Sequence, residues 1–290
     1  MVDLTQAMEK GELPKLNQSQ IEAYLLRENR SAESLLSAFR LSDLDPKFLE
    51  EALKQFPNNP QVLMTAIGYY RDPTHRLDLL ERFTRSDPDN ALGYLLTART
   101  LFEMGNSDGA MEQISRSEDK SIGIFLKEFS QNDEEVYLSS GFTPLESKLN
   151  SQIFQSASGI MEIRQLSQTM DDLAKSYASA GNTDAADALR EQHVRIGRQL
   201  QSSATCTVEQ LVGIVVENQA LKSTGSTEAL NQIEHLKSEK EVLANRARQV
   251  DSLRKSNQIP DSDWLIYYDR VKIFNEQAAN EWLLNKHKDP

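Results

Sequence analysis

The chain has 290 residues, with 44 acidic against 32 basic side chains, a net charge of −12 and 39% hydrophobic residues. That balance repels phosphate backbones and anionic lipid headgroups, which argues against nucleic acid as a partner. The single cysteine, Cys206, excludes an internal disulfide, and the longest apolar run, Leu211 to Val216, is far shorter than the ~20 residues of a membrane-inserted helix.

Residues 1–18 are polar, with Gly11 and Pro14, and read as a loose lead. The first firm helix runs from Gln20 to Arg27. Ser31 is a helix cap with Glu33 in the first turn behind it, and Leu35, Leu36 and Phe39 form the buried stripe that follows. Asp45-Pro46 opens the next helix, which carries Phe48, Leu49, Leu53 and Phe56 up to Pro57. Leu63, Ala66, Ile67 and Tyr70 mark another helix. Pro73 ends it and begins the next, with Leu77, Leu80 and Phe83 inside. After Pro88 come Tyr94, Thr97, Ala98 and Leu101, a turn at Gly105, and Ala110 in the helix beyond.

This last phase of large, small, apolar, turn glycine and alanine resembles the tetratricopeptide repeat. Pro88 and Pro57 stand where preceding units close, at a spacing slightly shorter than the usual period of about 34. Met170, Leu173, Ala174, Tyr177, Gly181 and Ala186 repeat the phase. There Arg190 and His193 depart from it, standing where the pattern prefers apolar or small residues. The resemblance implies an all-α chain of stacked helical hairpins with a concave groove for a peptide or a helix. Its groove positions fall on Met64, Gly68 and Arg71, and on Leu95, Arg99, Phe102 and Glu103. The Lys and Asn clamp by which chaperone-binding members grip a terminal carboxylate is absent, since Leu95 and Arg99 stand at its first pair. An internal peptide segment, a partner helix or the chain's own C-terminal part could fill such a groove. If it is open, replacing Arg99 and Phe102 by Ala removes partner capture without loss of fold.

Beyond Ser117 the pattern predicts helices over 122–129 and 133–139 with a stop at Gly141, then 144–157, 160–179, 183–201, 207–222, 227–255 and 262–287. The lengthening near Gly141 divides the chain into repeats over 19–141 and a helical bundle over 142–290. The helix over 227–255 would run about 45 Å. Its seam of Ala229, Ile233, Leu236, Leu243, Ala247 and Val250 has coiled-coil spacing. Trp264, Tyr268, Val271, Phe274, Ala278 and Trp282 on the last helix could receive it as an antiparallel hairpin, about 227–287, with a coiled-coil homodimer as the alternative.

Catalytic signals are thin. His75, His193, His235 and His287 are scattered, and neither a His-Glu-x-x-His pair nor a glycine-rich phosphate loop occurs. Asp133-Glu134-Glu135 and Asp171-Asp172 read as first-turn charges at helix N-termini rather than metal ligands. The expectation is therefore no catalytic residue, no cofactor and no metal, in a non-enzymatic scaffold that binds a protein or peptide. A structural or oligomerising protein is the alternative, and an enzyme with an unrecognised site ranks third. The start lacks a basic cluster followed by an apolar run, which reads as cytoplasmic; loss of an export or anchor segment would make it periplasmic.

Overall fold

Short polar residues start the helices. In the computed structural model, which describes residues 16–153, 158–224, 226–256 and 258–287, side chains of Asn17, Ser31, Asp45, Asn59, Asp72, Asn90 and Asn106 each accept from a backbone N–H of the first turn that follows. Each satisfies a donor that the helix itself leaves open. They begin α1 (Gln18–Arg27), α2 (Ala32–Leu41), α3 (Pro46–Gln55), α4 (Pro60–Tyr69), α5 (Pro73–Ser86), α6 (Ala91–Glu103) and α7 (Ser107–Arg116). Then come α8 (Leu126–Ser139), α9 (Pro144–Ile153), α10 (Ser158–Ser179), α11 (Thr183–Ser203), α12 (Thr207–Lys222), α13 (Thr227–Ser256), α14 (Asp261–Ile273) and α15 (Glu276–Lys286). The fold is all-α, and no strand lies among the described residues. Gly105 and Gly181 take φ of 76° and 82° to end α6 and α10, a conformation that favours glycine. Residues 1–15 of the polar lead, and 154–157 of the helix expected over 144–157, lie outside the described residues.

From α2 to α7 each helix packs on the next, and α2 also touches α4. The order then changes. α8 returns to lie on α2 and α1, and α10 lies on α6. α10, α11 and α12 pack mutually, so the main apolar core runs from Leu16 and Tyr24 to Val216, across the boundary expected near Gly141.

Three expectations are corrected. The helices predicted over 122–129 and 133–139 are one helix, α8, preceded by an extended segment. There the Asn90 side chain accepts from Gly123 N and donates to Gly123 O, both at 3.0 Å, while Ala91 N donates to Ser121 O at 2.8 Å. Ile122 N donates to Ser203 Oγ on α11. These bonds hold 121–123 extended and postpone the helix. Asp133 and Glu134 are consequently buried in mid-helix rather than exposed in a first turn, and Asp171 is likewise buried within α10, paired with Lys175.

The helix expected over 262–287 breaks at Phe274. Asn275 is extended, and its side chain caps α15 by accepting from Ala278 N at 2.8 Å. The seam of α13 is buried at Ala229, Ile233, Leu236, Leu243 and Val250, but it meets two partners. Ile233, Leu236 and Leu243 pack with Ile214 and Leu221 of α12, while Val250 joins Trp264, Tyr267, Tyr268, Ala279 and Leu283 of α14 and α15. Phe274 stays exposed.

α11 and α12 approach backbone to backbone. A methyl at Gly197 would lie 2.6 Å from Glu217 N and 2.9 Å from its Cα, and one at Gly213 would lie 2.9 Å from Gln201 N. Backbone cannot swing aside. Gly197→Ala is expected to destabilise the chain by roughly 1–3 kcal/mol despite alanine's better helix propensity, read as a lower urea midpoint.

Candidate functional site

The face formed by α2, α4 and α6 carries most of the residues expected to line a groove, and the chain's own later helices cover much of it. Met64 and Leu95 are buried, and Phe102 packs partly buried against the main core. Arg99 pairs with Glu162 of α10 at 3.0 Å and with Glu103 of its own helix at 2.6 Å. Arg71 and Glu103 are exposed. Gly159, near the start of α10, sits so close to Met64, Leu92 and Ile124 that a methyl there would lie 3.2 Å from Met64 Cε.

Buried charge holds these layers together. Arg40 on α2 donates from Nε and Nη2 to Asp133 of α8 at 3.0 and 2.6 Å, a fork that satisfies both carboxylate oxygens. Arg76 on α5 bonds Glu162, which also faces Arg99. Asp133, Glu162 and Arg76 are buried, so each pair is out of reach of screening ions. Glu134, next to Asp133, pairs with Lys148 of α9 and Lys272 of α14, tying the C-terminal helices to the same element.

One part of the face remains open. A cavity of about 110 Å³ lies between α2, α4 and the start of α8, lined by Phe39, Arg40, Leu44, Met64, Thr65, Gly68, Tyr69, Ile124 and Phe129. The lining is apolar and aromatic. Phe39 meets Tyr69 edge-on at 5.4 Å, and the Arg40 guanidinium lies 4.5 Å from the centre of the Phe129 ring. Thr65 Oγ1 donates to Gln61 O and is satisfied. Arg40 Nη1 is not: buried, it has no hydrogen-bond partner, its sister nitrogens being turned to Asp133 and Ser37. On the wall, Leu44 is 50% exposed and held at φ 63°, with Asp43 before it at φ 56°. For a leucine that conformation costs roughly 1–2 kcal/mol. Such strain in an exposed apolar residue marks a candidate contact point.

Other reactive groups are enclosed. Ser167 Oγ and His193 Nε2 lie 2.5 Å apart between α10 and α11, both 2% exposed, with Gln219 and Asp171 beside them. Substrate has no approach to that pair in this conformation. Burial pushes the Cys206 thiol up to about 12, with the Glu209 charge adding to it, so it is unreactive near neutrality. No group of three or more potential metal ligands occurs among the described residues, and no helix among them is long and apolar enough to cross a membrane.

Arg40, Leu44, Phe129 and Glu162 enter this site without having been singled out in the sequence, and Asp133 enters it as the partner of Arg40 rather than as a first-turn charge. Fold and site define a class, an all-helical protein with a small apolar pocket between α2, α4 and the start of α8. Comparison with family models, curated proteins and solved structures finds no match.

Three outcomes are expected. Glu162→Ala leaves Arg76 buried without its counter-charge, lowering stability by about 3–5 kcal/mol in denaturant titration. Replacing Arg99 and Phe102 by Ala also lowers the melting temperature, because both side chains pack within the chain. Burial also holds the His193 imidazole down at about 4, with the Asp171 charge opposing, against an ordinary value of 6.5. The unfolded chain therefore takes up a proton below pH 6.5 that the folded one refuses until about pH 4. Stability should fall as pH is lowered through that window, and more steeply than in His193→Gln, measured by unfolding midpoints across the range.

Proposed function

We propose that this chain is a non-enzymatic, cytoplasmic scaffold for protein–protein interaction, in which tetratricopeptide-like hairpins present a receptor to a peptide or helical segment of a protein partner. The observation that carries this reading is the apolar pocket between α2 and α4, on the face that the repeat pattern assigns to binding. The chemistry of that face supports it. α8 and α10 already lie along it with their carboxylates on Arg40, Arg76 and Arg99, so it accommodates helices. The pocket is the part left for another molecule.

An oligomerising role for the C-terminal helices is the second reading. It draws on Ile273 and Phe274, which are 67% and 59% exposed at the break between α14 and α15. The seam of α13, by contrast, is turned inward and offers little to a second copy.

The test is affinity capture from a lysate of the source organism, with the intact chain as bait and mass spectrometry as readout. Thr65→Phe fills the pocket from a half-buried position and should keep or raise the melting temperature, as cavity-filling changes commonly do. Partners held by the wild type should be lost from that variant. Recovery of the same partners by both baits would overturn the reading.

A further inference from the structure

Building on the scaffold reading, we infer that the pocket between α2, α4 and α8 takes one bulky apolar side chain of a peptide. A backbone carbonyl beside that side chain accepts from Arg40 Nη1, and the residues flanking it are basic.

Size sets the first element. About 110 Å³ enclosed by Phe39, Met64, Tyr69 and Phe129 suits a single aliphatic or aromatic side chain rather than the face of a helix. Leu44 extends the apolar wall toward solvent. A residue such as Asn would hold the same left-handed backbone with less strain, so a leucine there is explained by what its side chain touches.

Arg40 sets the second. Its side chain is 7% exposed, and its charge is already matched by Asp133 through the Nε and Nη2 fork. The edge facing away from Asp133 is Nη1, a buried donor without a partner in a residue that lines the cavity. A second carboxylate would have to be desolvated against a pair that is already neutral. A carbonyl oxygen supplies an acceptor without that penalty.

Charge sets the third. Leu44 lies in the loop joining α2 to α3, where Asp45 is already paired with Lys47 at 2.9 Å, so the field at the pocket mouth is that of the whole chain, with its net charge of −12. Basic residues on either side of the anchor meet a favourable field during approach, and acidic ones are repelled.

The experiment is selection of a displayed library of random twelve-residue peptides on the intact chain, followed by binding measurements on synthetic copies of the enriched sequences. Enriched peptides should carry a Leu, Ile, Met or Phe flanked by Lys or Arg. Their affinity should fall at least tenfold on Leu44→Asn, which removes the apolar wall without changing the charge and whose melting temperature stays level or rises because Asn tolerates the left-handed conformation. Affinity should also weaken when the flanking basic residues become Ala. Enriched peptides that bind Leu44→Asn as tightly as the wild type, or that are predominantly acidic, overturn the inference while leaving the scaffold reading intact. No enrichment of any peptide overturns both.

Discussion

The arrangement of the molecule depends on carboxylates from α8 and α10 reaching arginines of α2, α5 and α6. Arg40 and Arg76 are buried and Arg99 nearly so, and none could stay there unpaired without a large desolvation penalty. Asp133 and Glu162 remove that penalty, and in doing so fix where α8 and α10 lie. Apolar contacts fill in around them, including the close seat of Gly159 on Met64 and Leu92. Replacing these pairs by well-fitted apolar residues could give an equally stable interior. What charge adds is one geometry, because a guanidinium fork accepts a carboxylate in few orientations.

This packing limits what a partner could find there. α8 and α10 lie on α2 and α6, and a pocket of side-chain size is left between α2, α4 and the start of α8. Affinity for a partner would then rest on one anchor and its surroundings rather than on extended area, which is the hot-spot pattern of interfaces in general. The same economy appears at the C-terminal end. Glu134 holds Lys148 and Lys272, so α8 serves as a post against which both the early hairpins and the last helices are braced.

Much of the helical layout is legible in the residues. Ser31, Asp45 and Pro73 announce helix starts because capping is local, and the inward seam of α13 follows from its spacing alone. The ion pairs are not legible, since Arg40 and Asp133 are 93 positions apart and Arg76 and Glu162 are 86 apart. Without their partners, acids in mid-helix look like acids in a first turn. The break at Asn275 was hidden by Phe274, which continues the apolar pattern one residue beyond the helix it ends. Leu44 sits in a short loop with no periodicity to mark it, and only its backbone angle sets it apart. Repeat phase puts Met64 and Leu95 on a groove wall but says nothing of what lies on top of them, and both are buried.

The clamp at Asn90 bears on how the protein is made. Its side chain grips Gly123, and the neighbouring Ile122 is held by Ser203 near the end of α11. A polypeptide emerging from the ribosome one end first cannot complete this connection until α11 has been synthesised. The arginines of the first seven helices find their carboxylates earlier, on α8 and α10, so what waits for α11 is the bond that holds the segment before α8. Premature termination before α10 would therefore leave Arg76 without its Glu162 partner in the early helices, as well as remove the later ones.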